Sequence, residues 1–239
     1  MPEKESLLQV QDLQVSFSTS AGRLSAVRGV SYDIKAGEIV GIVGESGSGK
    51  SVSAHSILRL LPANGSITGG SIRYAGNELA TYSGEKLRSF RGAEVAIIFQ
   101  EPGLSFDPIY PIGKTMAETI RAHAPELSEH EVNDKSVKLL QEVDIPQAAE
   151  RLRNFPHQFS GGMLQRVMIA LALASDPKIL IADEPTTALD VTIQAQIIDL
   201  LLKLRRERGL AVLFITHNLA LVSGIADRIV VMYAGMVME

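Results

Sequence analysis

The chain has 239 residues, 46% of them hydrophobic, and a formal net charge of −4, which suits one large domain or a domain with a sizeable insertion. It contains no cysteine, so disulfides, thiolate metal sites and cysteine nucleophiles are excluded. No basic terminal block or Lys/Arg stripe points to nucleic acid as a partner.

The start, Met1 to Ser6, is polar and lacks the apolar core of a signal peptide. No stretch reaches about 18 uncharged apolar residues, the length a membrane helix needs. Leu8 to Phe17 then alternates as a strand, with a break at Gln11-Asp12. Ser18 to Arg23 reads as a turn region, and Leu24 to Ile34 as a second strand. Lys35-Ala36-Gly37 turns the chain into the buried run Glu38 to Val43.

Gly44-Glu45-Ser46-Gly47-Ser48-Gly49-Lys50-Ser51 follows at once and fits G-x-x-x-x-G-K-S. Val52 to Leu61 reads as a helix, so the stretch has a phosphate-binding loop's strand–turn–helix setting. Its glycines let backbone amides turn inward around a pyrophosphate, and the helix N-terminus favours the anion. Lys50 supplies a point charge for the outer phosphates and Ser51 a hydroxyl for magnesium.

Beyond the Gly-rich link Asn64 to Gly70, the run Gly70 to Tyr74 is a third strand candidate, and Glu94 to Phe99 reads as a core strand ending at Gln100. Pro102, Pro108 and Pro111 punctuate the next stretch. Ile112 to Ala122 is helix-like, and Ser128-Glu129-His130-Glu131 is a capped helix start leading to Val143. Gln147 to Leu152 is a further short helix. Residues 101–158 therefore read as a mostly helical insertion between residues 1–100 and 159–239.

Ser160-Gly161-Gly162 precedes a helix running to Ser175, with Gln165 and Arg166 in its first turn. This is either an ordinary cap or a second anion nest. The strand Ile179 to Ala182 ends at Asp183-Glu184, at the carboxyl edge where α/β sheets bind ligands. Asp183 is assigned to the metal and Glu184 to the attacking water. Val191 to Arg208 is a long helix, Ala211 to Ile215 a strand that delivers His217 to the same edge, and Leu219 to Gly224 a short helix. Ile229 to Met232 is a final strand, with Met236 to Met238 as its hairpin partner. His217 suits the γ-phosphate or the water, and Gln100 suits magnesium or its water. His55, His123, His130 and His157 show no metal-ligand spacing and read as structural or solvated. The rhythm predicts an α/β fold with a mostly parallel core sheet covered on both faces, a small antiparallel β layer and the helical insertion.

Taken together, Val43 to Ser51, Gln100, Phe159 to Arg166, Ile179 to Pro185, Ala188-Leu189-Asp190 and His217 resemble the ATPase subunit of ABC transporters, in that family's order and across essentially the whole chain. The resemblance implies a single P-loop NTPase domain that binds ATP and Mg2+. It makes Lys50 and Ser51 Walker A residues, Asp183 the Walker B aspartate, Glu184 the catalytic carboxylate, Gln100 the Q-loop glutamine, Asp190 the D-loop aspartate and His217 the switch histidine. Phe17 matches an adenine-stacking aromatic. Ser160, Gly161, Gly162 and Gln165 belong to the signature that closes on the nucleotide of a facing subunit.

The closer likeness is to the oligopeptide/dipeptide/nickel importer group, whose pattern Glu45 to Val52, Gln100-Glu101-Pro102, Phe155 to Phe159 and Thr186 to Thr192 follow. Gly103, Asp107 and Leu164 depart from it, and the chain stops at Glu239, where the group usually continues. The implied partners are a second ATPase subunit (self or paralogue), two permease subunits and, indirectly, a solute-binding protein. The implied location is the cytoplasmic face of the inner membrane, as a peripheral subunit. A soluble ATPase of the same class, in DNA repair or translation, is the rival reading, but the coiled coils, second cassette or basic arms of such proteins are missing. A P-loop kinase or GTPase lacks the signature helix.

Overall fold

The computed structural model describes residues 6–187 and 189–239; Met1–Glu5 of the polar start and Ala188 of the Ala188-Leu189-Asp190 motif lie outside the described residues. In chain order, β1 (Ser6–Thr19) and β2 (Gly22–Lys35) precede β3 (Ile39–Val43) and α1 (Lys50–Ile57). Next come β4 (Gly65–Tyr74), β5 (Asn77–Glu78), α2 (Gly84–Ala93) and β6 (Val95–Ile98). A helical stretch holds α3 (Ile112–His123), α4 (Glu129–Glu142) and α5 (Ala148–Arg151). The rest is α6 (Gly161–Ala172), β7 (Ile179–Asp183), α7 (Val191–Arg208), β8 (Ala211–Thr216), α8 (Leu219–Ser223), β9 (Arg228–Tyr233) and β10 (Met236–Val237).

Two sheets form. The core sheet has the order β10-β9-β3-β8-β7-β6 and is parallel apart from β10; the second, β2-β1-β4-β5, is antiparallel. Every residue of β3, β7 and β8 is buried, as continuous apolar runs in a two-sided sheet require. Alternate side chains serve opposite faces. Ile39, Leu180, Val212 and Phe214 pack towards α3, α4, α6 and α7, while Ile42, Ile181, Leu213 and Ile215 pack towards α1 and the antiparallel sheet. Helix α1 is thus held between the two sheets. Tyr32 of β2 pins it there through a 3.0 Å hydrogen bond to Ser53, and burial pushes the phenol up to about 12.

The antiparallel layer differs from the expectation in three places. The turn region Ser18 to Arg23 shrinks to Ser20-Ala21, since Thr19 already pairs with Gly22. The apparent break at Gln11-Asp12 is an irregularity inside a continuous β1, matched by a register shift against β4. Asp12 has φ 47° and Gly70 φ 81°, and a Cβ on Gly70 would lie 2.4 Å from the Asp12 carbonyl oxygen. Only glycine fits that approach. The Gly-rich link is therefore strand from Gly65 onwards.

Elements around the helical stretch are tied to the core by charge. Ser128 and Glu131 form a reciprocal capping box at the start of α4, and the Ser128 bonds hold the Glu131 carboxyl below the ordinary range. At its other end Glu142 takes a two-pronged bond from Arg208 of α7, whose third nitrogen reaches Asp176. Helix α2 bends at Arg91-Gly92, and Arg91 donates to the carbonyls of Leu58 and Arg59 just past α1, groups that a helix end leaves open.

Candidate active site

Parallel strands bring their carboxyl ends to one edge. Val43 pairs with Thr216, Asp183 with Ile215 and Ile98 with Ala182, so the residues just beyond these strands meet. Together Phe17, Leu24, Gly44 to Gly47, Gly49 to Val52, Gln100, Glu184, Thr187 and His217 line most of one cleft of about 1040 Å³.

The loop between β3 and α1 curls around its lysine. Lys50 Nζ donates to the carbonyl oxygens of Gly44 and Glu45 at 2.8 and 2.9 Å. The residue is 4% exposed. Burial pulls its pKa below the ordinary lysine value, and the nearby carboxylates of Glu184 and Asp183 oppose that shift. Gly49 caps α1 in the left-handed region at φ 96°, where a Cβ would sit 2.6 Å from the Ala26 carbonyl oxygen, and no side chain caps the helix. The first amides of α1 are therefore open to a ligand. Ser48 Oγ is buried and has no hydrogen-bond partner among the described residues.

Two carboxylates stand opposite. Asp183 Oδ1 accepts from Ser51 Oγ at 2.8 Å, and its Oδ2 lies 3.0 Å from His55 Nε2. Glu184 has a left-handed backbone, φ 48°, a strained conformation typical of functional turns. Its amide donates to the Ile215 carbonyl at 3.0 Å. Glu184 Oε2 accepts from Thr187 Oγ1 at 2.9 Å and Gln100 Nε2 at 3.3 Å, with His217 Nδ1 also at 3.3 Å. Among the described residues, Oε1 takes no such bond, and Glu184 lines the cleft.

The second glycine-rich turn stands apart from this cleft. Ser160 caps α6, its hydroxyl accepting from the Met163 amide at 3.3 Å, and Asp190 caps α7 by accepting from the Ile193 amide at 3.0 Å. Gly162 lies against Ile193, so the two helices begin side by side. Gln165 lies one turn into α6. It is 1% exposed, and its Nε2 is buried with no hydrogen-bond partner among the described residues. Two residues were missed. His55 reads as structural or solvated in the sequence yet touches Asp183; its spacing of four from Ser51 on a helix was the available signal. Thr187 supplies the shortest hydrogen bond to the Glu184 carboxylate, from three residues down the turn.

Among the described residues no cluster of three or more His, Cys, Asp or Glu side chains forms a metal site. A cation in the cleft would rest on Asp183 with the oxygens of Ser51 and Gln100, a hard-oxygen set that fits Mg2+. The donors and the open helix end fit a phosphate–magnesium ligand.

A glycine loop with its lysine between a strand and a helix, faced by Asp-Glu at the end of a neighbouring parallel strand, defines a P-loop nucleoside triphosphatase. The model of the ABC transporter family matches residues 27–187. The chain is 48% identical over 237 residues to the oligopeptide transport ATP-binding protein OppD of Escherichia coli (strain K12), spanning 99% of this chain and 70% of that protein. Against OppD of Bacillus subtilis (strain 168) the identity is 47% over 234 residues, spanning 98% and 65%. The ATP-binding cassette MJ0796, solved as a dimer in a post-hydrolysis state with ADP and phosphate, superposes with a TM-score of 0.85 at 28% identity over 97% of each chain. The chain belongs to the ABC transporter family, among the ATP-binding subunits of the peptide/nickel importer group. Among the described residues no helix is long and apolar enough to cross a membrane.

Proposed function

We propose that this chain hydrolyses Mg2+-bound ATP to ADP and phosphate in a dimer with a second ATPase subunit, and that the cycle drives import of peptides or a related solute. The observation that carries the reading is the meeting of Lys50, Ser51, Asp183, Glu184, Gln100 and His217 at one sheet edge. Lys50 and the amides of Gly47 to Ser51 hold the β- and γ-phosphates. Phe17, on the cleft wall beside Leu24, packs on the base. Ser51, Asp183 and Gln100 hold the cation, which when bound offsets the phosphate charge. Glu184, oriented through Oε2, uses Oε1 to align the attacking water and take its proton, and His217 donates towards the γ-phosphate.

The turn Ser160-Gly161-Gly162 and Asp190 lie off this cleft, which supports a use in trans on the nucleotide of a facing subunit. The relatives named for oligopeptide transport support the choice of solute class. By the same likeness the subunit docks on two permease chains fed by a solute-binding protein, at the cytoplasmic membrane face. The test is phosphate release and sedimentation of the chain, alone and with its paralogue, with and without ATP and magnesium. Hydrolysis that rises with ATP-dependent dimerisation is expected; magnesium-independent turnover or a tight nucleotide-free dimer would contradict it.

A further inference from the structure

Asp183 is a buried carboxylate whose two oxygens are met by a single helix. Ser51 Oγ donates to Oδ1 at 2.8 Å, and His55 Nε2 lies 3.0 Å from Oδ2. Ser51 and His55 are four residues apart in α1, so they project from one face, a turn apart. The Asp183 side chain is 7% exposed and the imidazole 27%. His55 Nε2 itself is buried, and no well-aligned hydrogen bond satisfies it among the described residues. The contact with Oδ2 is therefore close but off the axis of the ring nitrogen. On its other side the ring stands edge-on to Phe99, with centroids 6.0 Å apart and planes at 74°. Phe99 follows β6 directly and precedes Gln100. The imidazole is thus wedged between the carboxylate assigned to the cation and the segment that delivers Gln100.

We propose that His55 is a positioning residue for the cation site: its N–H fixes the plane of the Asp183 carboxylate that Mg2+ uses. The proposal rests on the reading of the cleft as a Mg2+–ATP site. A carboxylate this buried loses most of its water, and an oxygen without a donor is costly. Ser51 can hold the cation through a lone pair while its O–H donates to Oδ1, but that bond anchors only one of the two carboxylate oxygens. His55 lies one turn further along the helix and supplies a donor outside the cation's own ligands. Donors placed behind a ligand in this way orient it, and their removal typically costs about 10–100-fold in metal affinity. The nucleotide's other contacts, Lys50 and the loop amides, do not pass through His55, so the effect is specific to the metal.

The experiment titrates a fluorescent ATP analogue against the full chain in EDTA and across a series of Mg2+ concentrations, with melting curves on each variant. His55→Leu removes the donor and keeps the bulk against Phe99. The expected result is a rise of about tenfold in the Mg2+ concentration at half-maximal binding, with affinity in EDTA unchanged. His55→Gln, whose amide N–H reaches the place of Nε2, restores most of the wild-type dependence. His55→Asn, too short to put an N–H there, repeats the loss in a polar side chain and stands in if His55→Leu does not fold. Asp183→Asn is the control for the site itself. If it shifts the Mg2+ dependence while His55→Leu and His55→Asn do not, the proposal is overturned. Equal weakening in EDTA and in Mg2+ also overturns it, because that is the mark of packing against Phe99 alone. If Asp183→Asn leaves the Mg2+ dependence unchanged, the metal reading fails first and the role of His55 falls with it.

Discussion

Two helices of this chain begin in glycine-rich turns, and they are finished differently. Helix α1 starts after Gly49 with no side-chain cap, and its first turn lines the cleft with Glu184 while Ser51 bonds Asp183. Helix α6 starts after Ser160, whose own hydroxyl takes the Met163 amide, and its turn is not part of the cleft lining. An uncapped helix end is incomplete until an anion arrives; a capped end is already satisfied. The difference teaches that a glycine turn becomes a reaction centre only when the surrounding strands deliver charge to it. The second turn, proposed to act on a facing subunit, must borrow that charge from another molecule.

The widest gap between the two turns should show in Glu184. Glu184→Gln keeps Lys50 and Ser51 intact, so ATP binding is expected to persist while phosphate release falls by roughly 10²-fold or more. Both are measured on the assembled pair; turnover near wild type would leave the α1 turn a binding site only. Lys50→Ala removes a charged donor worth about 1.5–3 kcal/mol, so ATP affinity in an equilibrium titration should drop roughly 10–100-fold. Phe17→Ala should cost roughly 1 kcal/mol of affinity if the ring stacks on the base; an unchanged titration would return Phe17 to the packing of β1 against Gly65. The smallest effect belongs to the capped turn. Ser160→Ala should lower stability by about 1 kcal/mol and shorten the ATP-dependent dimer, yet leave ATP affinity of the single chain as it was. A loss of affinity in that monomer would erase the distinction between the two turns.

Much of this was legible in the sequence because burial and capping write clear patterns. Strands β3, β7 and β8 are apolar runs flanked by Gly or Asp, and α7 has the expected bounds, Val191 to Arg208, because Asp190 and Gly209 cap it. What stayed hidden depends on contacts between distant segments. Helix α2 buries only Phe90, too little for a periodic signal. The strand character of Gly65 to Gly70 comes from pairing with β1, against glycine's own preference. His55 and Thr187 were missed for the same reason: their spacing was visible, but their partners, Asp183 and Glu184, needed the folded edge.

The turn between β9 and β10 carries one more consequence. The Gly235 amide donates to the Ser48 carbonyl at 3.0 Å, and its carbonyl accepts from the Arg28 amide at 2.7 Å. The phosphate loop is therefore buckled to the last strand pair and, through it, to the antiparallel sheet. A load placed on β10 would reach Ser48 through the Gly235 amide and the loop's start through the β9–β3 pairing, so pulling there is a mechanical handle on the grip around the phosphates.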